Sequence, residues 1–285
     1  MRRGLMATAV VLAVAAVGCG DGGGEEAVVE GSAPTTPYSG PLYVPVKNLD
    51  EDSPRATRIE SGAAGRALEC DGEIYDGGGS GTWSEGDGGG TPEEGLEAYF
   101  DIEQPDVPRT GYRVEREEDE RVLFSLDVDG RTKVAVVVAK DGKNRPGWGP
   151  ETSASCDPAE LPESFTDSQW YEIWTDRDGR RVPITTVHSN VGPEHCDWQS
   201  AHFLSTGRGK DGRLYARDPD KVLPPGALTS AYDGDVPMPG DARDTGYRYG
   251  ERELWLTKDD RAPAYVRTPD GVEAWPQVND GFGCA

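Results

Sequence analysis

Thr110-Gly111-Tyr112-Arg113 recurs in the second half of the chain as Thr245-Gly246-Tyr247-Arg248. The likeness continues in order. Glu120-Arg121-Val122-Leu123-Phe124 answers Glu251-Arg252-Glu253-Leu254-Trp255, Asp129-Gly130-Arg131 answers Asp259-Asp260-Arg261, and Asp141-Gly142 answers Asp270-Gly271. Each series then reaches a Trp followed by a Cys, Trp148 with Cys156 and Trp275 with Cys284, and each is preceded by Cys-Asp, Cys70-Asp71 and Cys196-Asp197. Self-similarity of this kind marks a structural unit used twice, so the chain is expected to fold as two tandem related domains, over 41–160 and 165–285.

The repeat also orders the cysteines. Four cysteines allow three pairings; the simplest, one per unit, joins Cys70 to Cys156 and Cys196 to Cys284. Each bridge would close a loop of about 85–90 residues and contribute about 4–5 kcal/mol in the chain-entropy account. Units of about 110 residues with a modest apolar content have small cores and gain from such a bridge.

Local patterns predict α+β domains rich in antiparallel strands. Thr91-Pro92-Glu93-Glu94 supplies an N-cap, a Pro at the first helical position and a capping-box Glu, so a helix is predicted near 92–102. Strands follow at 112–116, 121–128 and 132–140, with Asp129-Gly130 as a tight hairpin turn between the last two. The second unit reads as strands at 171–175, 182–188, 202–205, 213–217, 247–249, 253–258, 264–267 and 272–275. Alternating patterns in antiparallel sheets predict one face turned to water.

The N-terminus carries a separate message. Arg2 and Arg3 precede an apolar run, Leu5 to Val17, that ends in Ala16-Val17-Gly18-Cys19. A basic start, a short apolar stretch and small residues before a cut site are the layout of a secretory signal. Its last four residues resemble the lipobox of bacterial lipoprotein precursors, which implies removal of residues 1–18 and lipidation of Cys19. Taking Cys19 out of the five cysteines leaves an even set, in keeping with an oxidising compartment. Residues 19–285 hold 27 basic and 52 acidic side chains, a net charge of −25. Residues 19–40, Gly-, Pro- and Glu-rich, read as an acidic tether, and the folded part is expected outside the cytoplasm, held to the outer face of the cell membrane.

So acidic a chain repels phosphate backbones, which excludes nucleic acid as a partner. Two Asp-x-Asp-Gly segments, 127–130 and 176–179, begin like calcium loops but carry Val138 and Val187 where the twelfth-position Glu belongs, so they read as turns. The Gly-rich stretch 77–90 lacks the Gly-Lys-Ser/Thr of a phosphate loop and reads as a flexible loop. No Gly-x-Ser-x-Gly elbow or His-Glu-x-x-His helix occurs. What is left is His188, His195 and His202, all three histidines of the chain, close to Glu194, Cys196 and Asp197. Histidines serve as metal ligands and general bases, and a spacing of seven would put His195 and His202 on one face of a helix. The bland alternative is surface histidines near a disulfide.

Arg outnumbers Lys 22 to 7, and with Gly192-Pro193-Glu194-His195-Cys196-Asp197-Trp198 and the Asp-Gly-Arg elements the body resembles uncharacterised actinobacterial lipoproteins. That resemblance implies a location and a disulfide-bonded body, with no activity or cofactor. Residues paired between the units read as fold determinants, so function belongs to what differs: the helix near 92–102, the histidine segment, or a cleft between the units. The reading is a lipid-anchored, non-enzymatic binding or scaffolding protein with cationic or protein partners. The alternative is an extracytoplasmic metal-dependent or hydrolytic enzyme centred on His188, His195 and His202, with zinc as the candidate metal.

Overall fold

The computed structural model describes residues 28–32, 35–45, 49, 51 and 53–283. The signal-like segment, Cys19 and Cys284 lie outside the described residues. Among the described residues no helix is long and apolar enough to cross a membrane.

Six strands of the first half share one sheet: β1 Val28–Val29, β2 Ile74–Gly79, β3 Thr110–Glu118, β4 Arg121–Val128, β5 Arg131–Gly142 and β6 Arg145–Cys156, in the order β1-β3-β4-β5-β6-β2. All pair antiparallel except the short β1, which runs parallel to β3. The β4–β5 hairpin turns on Asp129 (φ 53°) and Gly130 (φ 75°), with Val128 facing Arg131. Two central residues at positive φ are what a type I′ turn requires, and Asp-Gly supplies them.

Among the described residues four α-helices accompany the sheets: α1 Pro54–Glu60, α2 Gly62–Ala67, α3 Pro92–Glu103 and α4 Glu163–Thr166. The α3 cap is the predicted one, with Thr91 accepting from the Glu94 N–H and Glu94 reaching back to the Gly90 N–H. Ser53-Pro54 starts α1 with the same chemistry, the Ser53 hydroxyl accepting from the Ala56 N–H. The Gly-rich stretch departs from expectation, since its first residues belong to β2. At Gly77 (φ 152°) a Cβ would lie 2.3 Å from Ser61 Oγ and 2.6 Å from Ser153 O, so the strand passes under the α1–α2 junction only because the side chain is missing.

The wet sheet face predicted from alternation is absent from the centre of this sheet. Val134, Val136 and Val138 pack with Leu96, Tyr99 and Phe100 of α3, while Ala135 and Val137 pack on the other face with Ala63 and Ala64 of α2 and with Leu42. An unbroken apolar run suits a strand covered on both faces.

The second half contains two four-stranded antiparallel sheets. The first holds β7 Glu172–Ile173, β8 Val187–Val191, β9 His202–Thr206 and β10 Arg213–Arg217, in the order β10-β9-β8-β7. The second holds β11 Arg243–Tyr249, β12 Arg252–Leu256, β13 Ala264–Thr268 and β14 Gly271–Trp275, in chain order. Their edges meet on both sides. Thr175 and Arg248 exchange backbone hydrogen bonds of 2.7 and 2.8 Å, and the Val278 N–H donates to Leu214 O at 2.8 Å. The two sheets enclose one core that includes Trp174, Val187, Leu204, Leu254, Val266 and Trp275. Joining edges in this way satisfies strand groups that would otherwise pair with other chains.

The predicted strand 182–188 begins only at Val187. Before it, the peptide N–H groups of Ile184 and Thr185 are drawn to the buried Asp157 carboxylate, at 2.9 and 3.5 Å, instead of to a neighbouring strand. Asp157 directly follows Cys156, which is joined to Cys70 across 86 residues of chain. Cys196 is also disulfide-bonded.

Candidate functional site

Alternation along β8 and β9 decides where the histidines go. Ser189 faces Leu204 and Val191 faces His202 in the register, so His202 shares the inner face with Ser189 and Leu204, while His188 projects from the other. Between them the chain is not a helix. A 3₁₀ turn, Glu194–Cys196, carries exposed His195 and ends at Asp197 in the left-handed region (φ 59°). Gly192 lets the loop fold back, since a Cβ there would lie 2.2 Å from Trp198 O. The seven-residue spacing therefore separates His195 and His202 where a helix would have aligned them, and the three histidines do not form one cluster. Among the described residues the one close group of potential metal ligands is Cys70, Cys156 and Glu160, and both its sulfurs are used in the disulfide.

His202 belongs to a polar network between the two sheets. Its Nε2 donates to Glu172 Oε2 at 2.7 Å, since a carboxylate can only accept. The Ser189 hydroxyl donates to the same oxygen and accepts from Trp174 Nε1 at 2.9 Å. Arg252 reaches in from β12, 4.0 Å from Glu172 Oε2, with its guanidinium 5.9 Å from the centre of the Trp275 ring. Burial alone would raise the Glu172 carboxyl, but the hydrogen bonds from His202 and Ser189, with the charges of His202 and Arg252, outweigh it and hold the group below its ordinary value. Ser, His and Glu meet here in the wrong order for nucleophilic catalysis: a serine nucleophile passes its proton to histidine, whereas both Ser189 and His202 donate to Glu172. Sequence reasoning found His202 but not Glu172 or Ser189, which look like ordinary strand residues until β7, β8 and β9 lie side by side.

His188 lines a different space, an open cleft of about 1230 Å³. The first half contributes Tyr75 and Asp76 from β2 and Asp106 from the loop after α3; the second contributes Thr185, Arg208 and residues after β14. His188 Nδ1 lies 2.7 Å from Ile184 O, and its ring meets Trp170 edge to face at 5.8 Å. Asp157 pins the 184–185 segment to the end of β6, which sets the two walls relative to one another. Burial pushes the Asp157 carboxyl up, and the N–H groups of Ala159, Ile184 and Thr185 offset this only in part. Burial, with the nearby Asp157, Asp106 and Asp76 charges, also raises the Tyr75 phenol, which stays a neutral donor at physiological pH. Acidic side chains at Asp76, Asp106, Asp260 and Asp280 face basic ones at Arg208, Arg213 and Arg261, so the cleft presents both signs of charge.

The Asp-x-Asp-Gly segments form turns in which the first carboxylate of each is engaged. Asp127 accepts two bonds from Arg113, and Asp176 accepts from the N–H groups of Asp178 and Arg180 and from the Arg180 guanidinium. Comparison with known protein families, with curated proteins and with solved structures finds no match to this chain.

Proposed function

We propose that this chain is a lipid-anchored extracytoplasmic envelope protein, built from two related β-rich domains, that works by binding in the cleft between them and not by catalysis. The observation that carries the binding part is the shared cleft itself: both halves wall it, and Asp157 fixes their spacing. At about 1230 Å³ it exceeds the usual space for a small ligand, which suits a peptide segment or a protein loop. The net charge of the mature chain favours a cationic or protein partner over anionic lipid or wall polymer. Against catalysis stand the separation of the three histidines and the commitment of Glu172 to His202 and Ser189 of its own sheet.

The anchor rests on the lipobox-like residues 16–19 and is supported by the Cys70–Cys156 disulfide, a bond at home in an oxidising compartment. The experiment compares the full chain with a Cys19→Ala variant by membrane fractionation and measures zinc in both. The wild-type chain is expected in the membrane fraction, with the variant retained as uncleaved precursor or released. An equal membrane-bound, processed form of the variant overturns the anchor. Stoichiometric zinc that disappears in both His188→Ala and His202→Ala overturns the non-enzymatic reading.

A further inference from the structure

A second cleft, of about 710 Å³, opens beside β7 and α4. We propose that it is a binding site for a small organic cation, an alkylated ammonium of the choline type, distinct from the larger cleft, with which it has no lining residue in common. Its rim is aromatic. Trp170 is 61% exposed, the most exposed large apolar side chain among the described residues, yet its ring is held edge-to-face by Tyr171 at 5.3 Å and by His188 at 5.8 Å. An indole fixed in place and left open to water is a ready platform for a cation, because the ring face carries negative charge density.

The charge around that platform has the matching sign. Glu163 and Asp167 line the cleft, and neither carboxylate forms an ion pair among the described residues. The one guanidinium lining it, Arg181, donates to Leu161 O at 2.7 Å and to Thr166 Oγ1 at 2.6 Å and feels the charges of Glu163 and Asp167, so two carboxylates stand against one guanidinium. Glu172 is occupied by His202 and Ser189. Tyr171, only 3% exposed, also lines the cleft and backs the Trp170 ring. Ile173 and Val191 supply apolar wall for N-alkyl groups. The volume falls within the range of small-molecule sites. Anions are repelled, and a neutral ligand gains the aromatic contact without the carboxylates.

The test titrates the full chain with choline chloride at constant ionic strength, following tryptophan fluorescence and heat, against the neutral isostere 3,3-dimethyl-1-butanol. Saturable choline binding is expected, with the isostere about tenfold weaker or worse. Trp170→Ala should weaken choline binding by about threefold to thirtyfold, and the pair Glu163→Gln with Asp167→Asn should weaken it and flatten its salt dependence. Trp170→Phe serves if the alanine variant does not fold. Absence of saturation, equal affinity for the isostere, unchanged affinity in the Trp170 variant, or binding of a neutral oligosaccharide in place of choline overturns the proposal. Cys19→Ala has no bearing on this result, so failure of the anchor and failure of this site are separately visible.

Discussion

The two meanders, β3–β6 and β11–β14, carry the same motifs in the same order and solve their burial differently. Gly111 and Gly246 share a backbone conformation, φ 86° and 88°, and the arginine two residues on makes a two-pronged pair with an aspartate in both, Arg113 with Asp127 and Arg248 with Asp244. Leu123 and Leu254 are both fully buried. Their neighbours diverge. Val122 and Phe124 are buried under α3, whereas the matching Glu253 and Trp255 lie on an open face, where Trp255 donates to Glu253 and sits 4.5 Å from the Arg267 guanidinium. A meander has two faces to satisfy. In the first half helices cover both; in the second, a partner sheet covers one and a ladder of charges and aromatics leaves the other to water.

The contrast can be broken most forcefully at the covalent tie of the first half. Replacing Cys70 and Cys156 by Ala should cost about 4–5 kcal/mol if loop closure dominates, read by chemical denaturation. Phe124→Ala, under α3, should cost about 3–5 kcal/mol, and if it costs no more than its counterpart Trp255→Ala, the helix does not cover that face as described.

Intermediate effects belong to the charged devices of the second half. Glu172→Gln replaces a carboxylate that accepts from His202 and Ser189 with a neutral amide, and should cost about 1–3 kcal/mol. The pH dependence has a definite sign. Glu172 is held below its ordinary value by the groups named above, and Asp244 well below by the hydrogen bonds of Arg248, with the Gly246 N–H and Arg177 adding to them. A carboxyl depressed in the folded state contributes stability above its unfolded pKa and loses it as pH falls through the folded one. Acid titration of stability should therefore be shallower in Asp244→Asn than in the wild type below the usual carboxylate range. The smallest change, below about 1 kcal/mol, is expected for Trp255→Ala, which loses a surface cation–π contact.

Much of this contrast is already written in residue choice. Val122 against Glu253 separates a covered face from an open one, whereas the strand through Val134 to Val138, expected to leave one face wet, is covered on both. The capping pair Thr91-Pro92 places α3, whereas α1, capped by Ser53 in the same way, has no counterpart among the predicted elements. The histidine segment is where local reading fails. His195 and His202 would align on a helix, yet Gly192, a 3₁₀ turn and a left-handed Asp197 send the chain back on itself, and strand alternation then turns His188 and His202 to opposite faces.

By itself the sequence determined the Asp-Gly turn between β4 and β5, the α3 cap and the pairing of Cys70 with Cys156, because the first two depend on φ preferences and capping within a few residues and the third on the order of the cysteines. Only the tertiary structure decided that helices cover both faces of one sheet, that two other sheets join at their edges, that Glu172 takes His202 and Ser189 on one oxygen, and that Asp157 sets the cleft between the halves. Those outcomes rest on contacts between residues far apart in the chain, whose partners no local pattern names.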